Sequence, residues 1–93
     1  MELVLTPRWI GEQESGNVIA EVPGRNPDLP VVLAACHIDS WDNSPGVCDD
    51  GAGCGIVTAA AHRLLAEGRQ PLRTIRLLWA GAEEVGLHGA RAY

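Results

Sequence analysis

Val31-Val32-Leu33-Ala34-Ala35-Cys36-His37-Ile38-Asp39 is the stretch on which the fold turns. Residues 31–36 are apolar without a break, β-branched at their start and of strand length. That pattern predicts a central strand buried on both faces. Upstream, residues 23–30 (Pro-Gly-Arg-Asn-Pro-Asp-Leu-Pro) are dense in turn formers and read as a loop. Before it, residues 17–22 form a strand candidate with Val18, Ala20 and Val22 on one face. Residues 11–16 are polar and turn-like, and the weak alternation over 3–8 allows one more strand. Downstream, residues 40–50 are a loop rich in Gly, Pro, Asp and Asn. Residues 51–67 then carry Val57, Ala60, Ala61 and Leu64 at helical spacing, with Gly68 as a stop. Residues 74–79 are a second buried strand, 81–86 a loop, and 87–93 the first turns of another helix. Strand, strand, helix, strand, helix is the order of an α/β fold.

Bulk properties narrow the function classes. The chain has 93 residues, nearly half of them apolar, and a formal charge of -5. That length makes one small domain or part of a larger one. An acidic chain lacks the basic face that binds nucleic acid. No run approaches the ~20 apolar residues of a membrane span. Met1-Glu2-Leu3-Val4-Leu5-Thr6 has neither the basic nor the long apolar region of a signal peptide, and the compartment is not legible. Cys36, Cys48 and Cys54 are three in number and form no CxxC, so they read as small apolar side chains or, as the minority alternative, a zinc ligand or reactive thiol.

The acids are placed more tellingly than they are numerous. His37, Asp39, Asp49, Asp50, Glu83 and Glu84 all fall at or just after the ends of predicted strands or at the start of the predicted helix. No Lys or Arg occurs between Asn26 and His62. Carboxylates gathered in a partly buried site repel one another and need a cation. His with Asp and Glu is a chemically sensible zinc set, so the pattern points to a metal-hydrolase site. In the H-x-D pair, Asp39 is expected to accept one imidazole N–H of His37 while the other nitrogen binds metal. Asp49 and Asp50 read either as helix caps or as a bridging carboxylate in a Gly-rich loop. Gly51-Ala52-Gly53-Cys54-Gly55 lacks the G-x-G-x-x-G spacing of a dinucleotide site, and its acidic approach repels phosphate. In Glu83-Glu84, adjacent side chains diverge, so one can ligate while the other faces the water to be activated. His62 reads as surface, and His88, beyond the Glu pair near a predicted helix start, is left outside the ligand set.

Three separated motifs, taken together, carry a resemblance. His37-Ile38-Asp39-Ser40-Trp41-Asp42, Gly46-Val47-Cys48-Asp49-Asp50-Gly51-Ala52-Gly53 and Ala82-Glu83-Glu84-Val85-Gly86-Leu87-His88-Gly89 resemble the co-catalytic di-zinc exopeptidases. That family includes bacterial leucyl aminopeptidases, glutamate carboxypeptidases and carboxypeptidase Q, and the wording is nearest the carboxypeptidase Q-like branch. The similarity spans residues 17–93. It implies a partial three-layer α/β/α zinc-exopeptidase domain with a mixed sheet, its C-terminal part missing. It implies two zinc ions, with His37 and Glu84 as ligands of one each and Asp49 bridging. Asp39 would orient His37, and Glu83 would be the general base. A peptide or dipeptide is the implied substrate. The Asp49–Asp50 peptide bond is implied to be cis.

The departures count too. Cys36 stands where the family commonly has Gly or Ala, and Cys48 where an acidic or apolar residue is frequent. The family draws two more ligands, an Asp and a His, from beyond the Glu pair. Three of five ligands lie in this chain, which is therefore expected to be a fragment. An inactive metal-binding or interaction module is the non-enzymatic rival. An acyl-transferring glutaminyl cyclase shares the fold and is the enzymatic one.

Overall fold

A computed structural model describes residues Met1–Tyr93. Three strands form one mixed sheet in the order β1 (Val18–Val22), β3 (Ile75–Ala80), β2 (Val32–His37). β3 is central, antiparallel to β1 and parallel to β2. A wide turn at Val47–Gly51 leads into α1 (Ala52–Ala66), and α2 (His88–Ala92) follows β3.

The strands form where the apolar runs lie, but the ranking of their burial differs from expectation. Leu77 and Leu78 of β3 are each 3 % exposed, one on either face. β2 is not the central strand. It pairs only with β3, and Val32 and Leu33 remain 41 % and 46 % exposed. An apolar run states a capacity for burial on both faces; it does not state which strand has two neighbours. Residues 3–8 form no strand: they pair with nothing and are exposed. Of the β1 face, only Val22 is buried.

α1 packs on β2 and β3 through Cys54, Val57, Ala61 and Leu64, the half-buried stripe. Ala60, expected on that stripe, is exposed, and Cys54 takes its place one turn before Val57. The helix stops as its composition predicts. Gly68 adopts φ 63°, and its N–H donates to the Leu65 carbonyl at 3.1 Å. On the other sheet face α2 ends beside Arg76, whose guanidinium donates to the Tyr93 hydroxyl at 3.0 Å. No helix is long and apolar enough to cross a membrane.

The parallel pair is what positions the site. Register sets His37 beside Ala80, and the Ile38 N–H continues the ladder to the Ala80 carbonyl at 2.9 Å. The loops after β2 and after β3 therefore leave the sheet at the same end. α1 returns antiparallel to the strands, so its first turn also lies there. Chemistry at the carboxyl ends of parallel strands follows from this arrangement.

Candidate metal centre at the strand ends

His37 closes β2 with its side chain largely enclosed, 13 % exposed. Its Nδ1 faces the Asp39 main-chain carbonyl at 3.0 Å, and its Nε2 faces Asp49 Oδ1 at 2.9 Å. Glu83 Oε2 is 3.8 Å from the same Nε2. Burial works to lower the His37 pKa, but the bonds to Asp49 and the Asp39 carbonyl, with the charges of Glu83 and Asp50, raise it on balance. A neutral imidazole carries one N–H and cannot donate to both acceptors. With Nδ1–H given to the carbonyl, Nε2 and the Asp49 carboxylate share a cation, either the second proton of an imidazolium, which the raised pKa favours, or a metal ion in its place.

The donor set fits zinc. His37, Asp49 and Glu84 each offer a ligand atom, and these atoms lie within 4.8 Å of one another. Two N/O ligands on a tetrahedral zinc sit about 3.3 Å apart, from bonds of roughly 2.0–2.1 Å. The 2.9 Å between His37 Nε2 and Asp49 Oδ1 is within a few tenths of that spacing. Glu84 is held above the ordinary carboxyl range, first by burial and then by the charges of Asp49 and Glu83. A bound cation would relieve all three effects.

Asp39 works differently from the expectation built on H-x-D. Its carboxylate is 3.6 Å from His37 Nδ1, and the closer acceptor is its own carbonyl. The carboxylate oxygens instead accept the N–H groups of Glu83 and Glu84, each at 3.0 Å. Residue 39 lies beyond the end of β2, so strand alternation no longer dictates where its side chain points. Burial tends to raise the Asp39 pKa, yet the two N–H groups and the nearby His37 hold it below its ordinary value. Asp39 thus fixes the loop that presents both glutamates, while its backbone orients the imidazole.

Two further residues brace the site. Asp50 caps α1 through Oδ1, which accepts the Gly53 N–H at 3.1 Å, and reaches β2 through Oδ2, which accepts the His37 N–H at 3.1 Å. Helix-start chemistry foretold the cap but not the second bond. Asn17, which the sequence reading passed over, opens β1 at the same sheet end. Its Oδ1 accepts the Gly81 N–H at 3.1 Å and its Nδ2 donates to the Gly89 carbonyl at 2.8 Å. No sequence signal marks it, because both partners are main-chain groups 64 and 72 residues away.

The backbone of the site is unusual in two places. The Asp49–Asp50 peptide bond is cis, as the resemblance implied. In the Glu83-Glu84 loop, Ala82 (φ 52°) and Leu87 (φ 59°) are left-handed without being glycine. Such residues persist where their surroundings enforce them, frequently at functional sites. Here the Leu87 N–H donates to the Glu83 carbonyl at 2.8 Å and the His88 N–H to the Ala82 carbonyl at 3.0 Å. His62 and His88 are both exposed and stand outside the donor set.

Known proteins resemble the chain in sequence and in fold. A crystal structure of a peptidase M28 precursor from Shewanella amazonensis superposes with a TM-score of 0.78 at 51% identity, over 83% of this chain and 17% of that one. Human carboxypeptidase Q is 37% identical over 100% of the chain and 20% of its own length. Leupeptin-inactivating enzyme 1 of Streptomyces exfoliatus is 39% identical over 83% of the chain and 17% of its own length. The chain spans a fifth or less of the length of these relatives. The model of peptidase family M28 matches residues 17–93, which hold every residue of the site described above, and the chain belongs to that family.

Proposed function

We propose that the chain supplies three metal ligands and the general base to the active site of a zinc-dependent metallo-exopeptidase that hydrolyses a terminal bond of a peptide or dipeptide, and that these 93 residues alone, with three of the five ligands, do not turn over substrate. The observation that carries this reading is the convergence of His37, Asp49 and Glu84 on one point, with Glu83 beside them and outside the donor set. His37, Asp49 and Glu84 would hold the metal, and the two oxygens of Asp49 suit it to serve two ions. Zinc, when bound, supplies a Lewis acid that acidifies water and polarises the scissile carbonyl.

The remaining work falls to side chains of this protein. Glu83 takes a proton onto a carboxylate oxygen from the attacking water and returns it to the leaving amine nitrogen. Its place 3.8 Å from His37 Nε2 keeps that oxygen at the edge of the donor set. Asp39 is a positioning residue, because its contacts are to the main chain of the two glutamates.

The test is a graft. Residues 17–93 would replace their counterpart in the Shewanella peptidase, for which the 51% identity gives matched junctions. The chimaera is expected to release terminal residues from peptides only when loaded with zinc. Glu83→Gln should lower that rate by roughly 100- to 10,000-fold with zinc content unchanged. A folded, zinc-loaded chimaera whose Glu83→Gln variant cleaves as fast as its parent would sink the assignment.

A further inference from the structure

Behind the acidic cluster, on the α1 face of the sheet, two cysteines meet. Cys36 is buried on β2, and Cys54 is half-buried in the first turn of α1. Their Sγ atoms are 2.9 Å apart, and Cys54 Sγ is 3.0 Å from the His37 carbonyl oxygen. Cys48, the third cysteine, is exposed. None of the roles derived above uses a thiol.

Two chemistries can occupy such a pair. A soft cation would need the sulfurs further apart, since zinc–thiolate bonds of ~2.3 Å place tetrahedral sulfurs about 3.8 Å from each other. The only further donor within reach, Asp50, already spends both oxygens on the His37 and Gly53 N–H groups. A covalent bond asks for less: a disulfide of ~2.05 Å lies about 0.9 Å inside the present separation. No charged partner has to be displaced to reach it.

We propose that Cys36 and Cys54 are a thiol-oxidation site that a small-molecule disulfide of the glutathione class converts to an intramolecular disulfide, with Cys48 outside the pair. The more accessible Cys54 attacks first as its thiolate. It forms a mixed disulfide and expels one small thiolate. Burial and the neighbouring Cys54 push the pKa of the Cys36 thiol up to about 12, so Cys36 acts second: with Cys54 held in the mixed disulfide, Cys36 gives up its proton, attacks Cys54 Sγ and expels the second small thiolate. Two S–H bonds become one S–S bond, and the small disulfide is reduced to two thiols that carry off both protons. The bond closes the 18-residue step from β2 to α1 that carries His37, Asp39, Asp49 and Asp50. It fastens the two elements that hold the donor loop without touching a donor atom, and it is independent of whether zinc binds.

The chain itself sets the mapping strategy. No Lys or Arg lies between Asn26 and His62, so trypsin leaves all three cysteines on one peptide. A protease cutting after Asp and Glu separates them, with Cys36 in 29–39, Cys48 in 43–49 and Cys54 in 51–67. Purified protein is treated with oxidised glutathione, alkylated at its free thiols, digested and weighed. The expected result is peptide 29–39 joined to 51–67 by a disulfide, with Cys48 joined to neither and carrying the alkyl group or one glutathione. The same treatment in concentrated guanidinium is expected to lose this pairing. There the shorter loop between Cys48 and Cys54 closes more readily, so the native pairing reports the fold and not chain proximity. Native protein whose Cys36 and Cys54 both remain alkylatable, or whose Cys54 pairs with Cys48, would overturn the proposal. A glutathione adduct that persists on Cys54 would overturn it too, because Cys36 would then not resolve it. Cys36→Ala should keep that adduct on Cys54, a result read directly by mass.

Discussion

Replacing Asp39 with Ala is the most discriminating change at the donor site. It deletes both oxygens that accept the Glu83 and Glu84 N–H groups, each at 3.0 Å. A hydrogen bond to an ionised acceptor contributes about 1.5–3 kcal/mol. The Asp39 side chain is 26 % exposed, so water compensates in part. Together the two bonds should amount to roughly 2–4 kcal/mol. His37 keeps its Nδ1 bond, because that acceptor is the main-chain carbonyl. The cost therefore falls on the Glu83-Glu84 loop and not on the imidazole. At about 1.4 kcal/mol per tenfold, local opening of that loop should rise roughly 30- to 800-fold. Amide hydrogen exchange read by NMR reports this directly at Glu83 and Glu84, with the Gly81 amide, held by Asn17, as internal reference. Because Glu84 belongs to the donor set, zinc affinity should fall by ~10- to 100-fold in parallel. Unchanged exchange at Glu83 and Glu84, together with a reoriented His37 ring, would refute the reasoning and return the carboxylate to the imidazole.

Further consequences can be checked in the same protein. The His37 pKa is raised from 6.5, so without metal its pairing with Asp49 is fully present below that value and is lost as pH rises through the higher folded value. Zinc competes with the same proton, so its affinity should climb across that window, as calorimetric titrations at stepped pH would show. A Cβ on Gly53 would overlap the Asp50 carboxylate. Gly53→Ala should therefore break the bonds from the His37 and Gly53 N–H groups to Asp50 and cost about 1–3 kcal/mol, measured by chemical denaturation. Leu77→Ala empties the centre of the sheet, where Leu77 is 3 % exposed, and should cost roughly 2–4 kcal/mol by the same measurement with the donor set untouched.

What the sequence determined by itself is the set of elements and the acid-rich stretches from which candidate donors are drawn. Apolar run, helical stripe and glycine stop are local properties, so β1, β2, α1, β3 and α2 fall within a residue or two of where their patterns put them. Acids without a nearby cation at several strand ends pointed to a metal site, and the family resemblance picked His37, Asp49 and Glu84 from among them as candidate ligands, the trio whose donor atoms the structure brings within 4.8 Å. The tertiary structure alone decided the partners. It made β3 and not β2 the central strand, because a pattern of apolar residues states how much surface a strand can bury and not which neighbours cover it. It turned the Asp39 carboxylate toward two amides across the parallel pair, 44 and 45 residues away, because a side chain past the strand end answers to what lies opposite it. It brought Asn17 to Gly81 and Cys36 to Cys54 for the same reason. Contacts between distant residues are set by the register and packing of whole elements, and no short stretch of sequence encodes them.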